Sequence, residues 1–308
     1  MPTAEIPSAR GSLGRIYLLV LLTTIFWGGT PVAGKLVLAD IPPLTVGVLR
    51  YGLATLLLGA IFWRRLPDPW SLRRRDFWVL LGIGVLGTLL NHTLFFFALV
   101  FAPAAHGAII PPTTSSLSTV LLAWRLGREG VAPGQIAGML LCLVGVVLVV
   151  QPERLATSGG ASVLVGDLLF LLGGIAWGIY SYLSKVAMQG LSAVATLTFG
   201  MSVGTVFLIP LALAERPWRA LGAAHATAWG ALGFLTLAGT VLSFLWWNVA
   251  IRRVGAGRTA VFANLVPVFG VLLSWLVLGE RLTVIQLMGG LLAIVGVAVC
   301  QGSAIWRS

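Results

Sequence analysis

Apolar residues in this chain fall in long unbroken runs rather than along one face of each segment. From Ile16 to the loop at Asp40, and repeatedly after it, about 20 residues pass with scarcely a charge. A helix that crosses the hydrocarbon of a bilayer needs roughly that length. A helix on the surface of a soluble protein would carry a polar face instead. The pattern predicts ten helical spans, near 16–38, 43–63, 78–101, 104–124, 133–150, 164–186, 193–213, 228–250, 257–278 and 283–301. The first run is too long for a signal-peptide core and has no small-residue cleavage site before Asp40, so it reads as a true span. The loops between the runs are short, and no soluble catalytic domain fits among them.

Composition agrees with that reading. Of the 308 residues 58% are hydrophobic and 9% charged, where a soluble domain is about a quarter charged. The 38 glycines suit helices that pack closely in lipid. Cys142 and Cys300 fall inside the fifth and tenth spans without metal-ligand spacing, and read as small buried apolar residues. No disulfide, metal or cofactor is expected.

The net charge of +11 would suit nucleic acid only if the basic residues gathered on a solvated face with aromatics between them. They do not. With residue 1 cytoplasmic and the spans alternating, the cytoplasmic side holds Arg10, Arg15, Arg64, Arg65, Arg73, Arg74, Arg75, Arg125, Arg128, Lys185, Arg252, Arg253, Arg258 and Arg307. The other side holds Arg154, Arg216, Arg219 and Arg281. The positive-inside rule accounts for this asymmetry. The expected protein is therefore multi-pass in the cell inner membrane with both termini cytoplasmic. Its expected partners are the lipid bilayer and a small-molecule substrate; nucleic acid is not expected, and a homodimer stays open.

The chain repeats itself. Trp27 and Lys35 recur as Trp177 and Lys185, 150 residues on, and Trp78, Gly82 and Trp124 recur 151 residues on as Trp229, Gly233 and Trp275. The longest match runs Trp124, Glu129, Gln135, Gly138, Gly145 against Trp275, Glu280, Gln286, Gly289, Gly296. Each copy holds five spans, an odd number, so the second must enter the membrane from the opposite side. The expected fold class is thus all-α, ten transmembrane helices as two inverted five-helix repeats. A tail (1–15) precedes the first repeat (16–150), a loop (151–163) joins it to the second (164–301), and a tail (302–308) follows. Inverted repeats supply two related conformations with a ligand site between the halves near the midplane.

The stretch Leu121, Leu122, Ala123, Trp124, Glu129 and Gln135, with its partner Pro267, Leu272, Leu273, Ser274, Trp275, Gly279, Glu280 and Gln286, resembles the paired signature of the EamA family in the drug/metabolite transporter superfamily. The resemblance covers nearly the whole chain. It implies a transporter that exports amino acids or similar metabolites, with a cavity lined mainly by the third, fourth, eighth and ninth helices, helped by the first and sixth.

Ionisable and aromatic residues at depth are the candidate substrate contacts. His92 lies mid-span beside Asn91 and ahead of Phe96, so a titratable donor and an aromatic wall can meet there. Trp27 and Trp177 are too deep for an interfacial belt and are paired by the repeat; Tyr180 shares a face with Trp177. Trp247 and Asn248 in the eighth span and Asn264 in the ninth complete the set with Thr113 in the fourth, whose neighbouring hydroxyls can also bond back to their own helix. Lys35 and Arg50 are candidate charge contacts; snorkelling competes for Lys35, and pairing with Asp40 for Arg50. Pro111, Pro112 and Pro267 are expected to break backbone hydrogen bonds and so to face protein or a watery cavity. Every Asp and Glu is expected in a loop or at a span end, none buried.

Two other readings stay open. A sugar-phosphate or nucleotide-sugar exchanger of the same fold would want several cations in its cavity, and the candidates are few. A membrane-embedded enzyme fares worse, because the chain has no HExxH helix, GxSxG elbow or P-loop, and His225 has no acid at ligand spacing. Catalytic and metal-binding residues are not expected.

Overall fold

The computed structural model describes residues 9–125, 132–151, 160–254, 259 and 262–305. Among them there is helix and no strand. The long helices are α1 (Ala9–Leu38), α2 (Pro43–Phe62), α3 (Arg74–Phe101), α4 (Ala104–Arg125), α5 (Pro133–Val150), α6 (Gly160–Ala187), α7 (Ala193–Ala214), α8 (226–254), α9 (Val266–Leu278) and α10 (Val284–Ile305). Among the described residues seven stretches are long and apolar enough to cross a membrane, and Val266–Leu278 and Val284–Cys300 are shorter apolar helices. α4 is less apolar because Pro111 to Ser116 interrupt it, yet its first turns are packed inside, with Ala104, Ala105, His106, Ala108, Ile109 and Ile110 at most 2% exposed. The start of the expected ninth span lies partly outside the described residues.

Large apolar side chains are exposed on the outside, and polar groups lie buried within the apolar core. Leu56, Leu140, Val206, Val284 and Leu291 are more than half exposed, whereas Thr23, Thr24, Arg50, His92 and Asp167 are buried. Lipid tolerates that outer surface and water does not. Several buried hydroxyls bond back to their own helices, as Thr23 to the Leu19 carbonyl and Thr24 to that of Leu21. This is a multi-pass membrane protein.

Two helices lack a side-chain cap of their own and borrow a distant carboxylate. α2 opens on Pro43, and the free N–H groups of Leu44 and Thr45 are taken by Glu215 at 3.0 and 2.8 Å. The N–H groups of Ala104 and Ala105 at the start of α4 go to Glu280 at 2.8 and 2.9 Å. Both satisfy groups that a helix leaves orphaned, and both set negative charge at a positive helix end. Nearby, Asp40 accepts from the His225 backbone N–H at 2.8 Å and from its ring Nδ1 at 3.0 Å. Those donors hold the Asp40 carboxyl below the usual carboxylate range, the backbone N–H most of all.

α5 and α10 cross at glycines. A Cβ on Gly138 would stand 2.6 Å from the Gly296 carbonyl oxygen, and one on Gly145 2.7 Å from that of Gly289. A Cβ on Gly289 or Gly296 would meet the Gly145 or Gly138 oxygen at 2.7 Å in return. Only hydrogen fits at these four points, so the backbones touch. Each helix starts alike: Gln135 Oε1 accepts from Ala132 N–H at 2.8 Å, and Gln286 Oε1 from Thr283 N–H at 3.0 Å. The sulfur of Cys142 bonds the Ala293 carbonyl and that of Cys300 the Gln135 carbonyl, both buried and free of any disulfide.

Candidate functional site

A cavity of about 460 Å³ opens among the helices, in the size range of small-molecule sites. Its walls come from α1 to α4 and from α6 to α10. One side is aromatic. Trp27 and Trp247 stand 4.9 Å apart between ring centres, and Phe244 lies 5.7 Å from Trp27 and 6.4 Å from Trp177, whose ring lies tilted at 4.6 Å from that of Tyr180. The two tryptophans 150 residues apart in sequence thus meet one phenylalanine.

The polar side depends on local helix geometry. α3 changes from α-helix to π-helix over Gly84–Leu90 and α8 over Leu237–Leu242. In a π turn a carbonyl is offered five residues on, and Thr240 Oγ1 donates to the Leu235 carbonyl at 2.8 Å, as Ser243 does to Ala238 at 2.6 Å. With its proton so used, the Thr240 oxygen accepts from Arg50 Nε at 2.9 Å. The guanidinium carbon lies 5.0 Å from the Tyr51 ring centre, a cation–π contact. Arg50 is 7% exposed and lines the cavity, and among the described residues no carboxylate does.

His92 lines the cavity too, with its Nε2 at 2.9 Å from the Pro43 carbonyl. A carbonyl only accepts, so Nε2 carries the proton. The ring stacks on Phe96 at 4.2 Å, meets Tyr51 edge-on at 5.4 Å, and fits because residue 47 is glycine, whose Cβ would lie 2.6 Å from it. Asn91 Nδ2 donates to the Gly173 carbonyl at 2.9 Å, tying α3 to α6. Thr113 Oγ1 is given to Ile109 O at 2.8 Å, and Ser115, Ser116 and Ser118 bond back likewise, so that stripe is internally satisfied.

A model of the EamA-like transporter family matches residues 14–151 and again 164–300. The chain belongs to that family. It is 30% identical over 289 residues to the uncharacterized transporter YyaM of Bacillus subtilis (strain 168), covering 93% of each chain. It is 25% identical to a probable amino-acid metabolite efflux pump of Escherichia coli (strain K12), covering 94% of this chain and 96% of that one. A crystal structure 20% identical in sequence shares the fold, with a TM-score of 0.62 over 93% of this chain and 96% of that chain.

In this EamA transporter the cavity wall holds Trp27, Asn91, His92, Phe96, Thr113, Trp177, Tyr180, Trp247 and Asn264, with Arg50, Pro111, Pro112 and Pro267. Asn248 and Lys35 are not on it. The Asn248 amide is turned to its own helix, on the Phe244 carbonyl at 2.8 Å, and Lys35 sits in the last turn of α1 within reach of the Glu280 charge. Pro267 is no mid-helix break: it stands in the first turn of α9, where a missing N–H is harmless, whereas Pro111 and Pro112 lie inside α4. Arg50 does not pair with Asp40, whose carboxylate is on His225 instead. That contact also gives His225 an acid partner, which sequence spacing hides.

The expectation of no buried carboxylate is overturned. Asp167 is 0% exposed, seven residues inside α6, and its Oδ1 lies 2.8 Å from His106 Nδ1. Asp167 is only three residues into the span expected from 164, hence its reading as a span end; the helix starts at Gly160 instead, and packing of α4 against α6 closes over the carboxylate. Neither His106 nor Asp167 has a counterpart in the repeat, so nothing in the sequence joins them. The role of Thr240 is equally unsignalled, because no side-chain pattern marks a π turn.

Proposed function

We propose that this transporter exports amino acids or similar small carboxylate metabolites across the cell inner membrane by alternating access. The observation that carries the reading is Arg50, a buried cation on the wall of a largely aromatic cavity in which no carboxylate among the described residues answers it. Its Nε is occupied by Thr240, which leaves the two terminal nitrogens to meet a substrate carboxylate in the fork geometry that guanidinium favours. The faces of Trp27 and Trp247 supply apolar area for the rest of the molecule and a favourable surface for an ammonium group. The relatives named as probable amino-acid metabolite efflux pumps, in Escherichia coli and Salmonella typhimurium, support the same substrate class. A sugar phosphate would call for more cations than Arg50 alone.

In this reading residues 16–150 and 164–301 are inverted five-helix repeats around the cavity, and both termini are cytoplasmic. Three likenesses support it. The family model fits each segment separately, Gly87–Thr88 and Gly239–Thr240 fall in matching π turns, and Gln135 and Gln286 cap matching helices. The arginine asymmetry then sets the end that carries Asp40 on the outer side. There Asp40–His225 and the carboxylates of Glu215 and Glu280 each tie one segment to the other, contacts that outward opening must break.

The test is uptake into proteoliposomes of individual amino acids beside their amides, which keep the body and lose the carboxylate. Saturable uptake of acids and not of amides is expected. Equal handling of both, or turnover without translocation, would refute the reading.

A further inference from the structure

Away from the cavity, side chains from three helices meet at the end of the bundle that carries Asp40. His106 of α4 is 2% exposed and Asp167 of α6 is 0% exposed, joined Nδ1 to Oδ1 at 2.8 Å. The other ring nitrogen, Nε2, stands 2.9 Å from Nε2 of Gln286 in α10. Backbone groups with one role each fix the Gln286 amide: its Oε1 accepts from Thr283 N–H at 3.0 Å, and its Nε2 donates to the Val149 carbonyl at 3.2 Å. The nitrogen facing His106 is therefore a donor, and His106 Nε2 must accept. The ring proton then sits on Nδ1 and is donated to Asp167 Oδ1. An imidazolium would set N–H against N–H, so His106 is neutral and balances no charge.

Asp167 Oδ2 is buried with no hydrogen-bond partner. Among the described residues, the other packed elements bring no cation to it. α3 presents Ala98 and Ala102, and α5 presents Val146 and Val149. Glu280 is engaged by the N–H groups of Ala104 and Ala105 just before His106, and Lys35 lies in the field of Glu280. A bare, charged oxygen in that setting costs far more than the unpaired hydroxyl of a neutral acid.

We propose that Asp167 is a proton-binding site, holding one proton on Oδ2, and that it is loaded as this end of the bundle closes. The site rests on geometry alone; its part in the cycle rests on the transport reading above. His106 belongs to the first segment, and Asp167 and Gln286 to the second. Opening this end parts them, admits water and lets the carboxylate release its proton to the outer medium; closing takes one proton back. The closed arrangement holds one proton more than the open one, so outer acid favours it.

The test uses the full-length protein in liposomes. The infrared carbonyl stretch of a protonated carboxylic acid is expected at neutral pH in the parent and is lost in Asp167→Asn. The variant should fold, since an amide copies the shape of the neutral acid, and its thermal midpoint should lack the fall toward alkaline pH that the parent shows. Its uptake should also lose the parent's dependence on outer pH. Absence of the band in the parent overturns the proton site. A band with identical pH profiles of uptake in parent and variant overturns the link to transport. A band in a protein that carries no carboxylate at any pH leaves the site standing and removes the transport reading instead.

Discussion

Replacing Arg50 by methionine keeps most of the side chain's length and removes its charge, and two effects of opposite weight follow. For stability, the change deletes one charge-assisted hydrogen bond, Nε to Thr240 Oγ1 at 2.9 Å, and one cation–π contact with Tyr51. Those are worth about 1.5–3 and about 0.5–2 kcal/mol. Against them stands the cost of keeping a cation 7% exposed with no carboxylate among the described residues of its cavity, which is of several kcal/mol. The Thr240 hydroxyl keeps its bond to Leu235, so no buried donor is orphaned. The thermal midpoint should therefore move little. Substrate binding has no such compensation: a lost charged contact of about 1.5–3 kcal/mol is roughly a 10- to 100-fold loss. Uptake measured in proteoliposomes should show a KM for the carboxylate raised by that factor, with the parent's preference for acid over amide gone. A variant that takes up the acid with the parent's KM, or that loses transport only because it no longer folds, refutes the assignment of Arg50 as the carboxylate anchor.

At the α5–α10 crossing, Gly289→Ala places a Cβ 2.7 Å from the Gly145 oxygen and from Leu148 Cβ; a cost of about 1–3 kcal/mol is expected, read as a lower melting temperature in detergent. Gly59→Ala, with nothing within 4 Å of its Cβ, should not melt lower. Glu280→Gln leaves one acceptor oxygen where Ala104 and Ala105 need two; a loss of about 1 kcal/mol and faster amide exchange at those two residues are expected. Asp40 is held below the usual carboxylate range by His225, and a group lowered on folding gives stability that is complete above its unfolded value and lost as pH falls through the lowered one. Asp40→Asn should thus melt below the parent at neutral pH and converge with it in strong acid; no gap at neutral pH would show the contact idle.

The sequence by itself determined the solvent, the class and several residues of the cavity wall. Runs of about 20 apolar residues report burial in lipid directly, because the cost of a charge in hydrocarbon acts residue by residue. Trp27, Trp177, His92, Asn91 and Arg50 were legible for the same reason: each is expensive or out of place where it stands. Which polar group meets which was decided only by packing. His106 and Asp167 are 61 residues apart, and His106 and Gln286 180 apart, in helices apolar on most of their surface, so no stripe marks the inner face. Asn248 shows the converse: it lies next to a cavity residue in sequence, yet its amide bonds to its own helix. The π turns of α3 and α8, which free Thr240 to hold Arg50, belong to the backbone, and only the surrounding helices fix them.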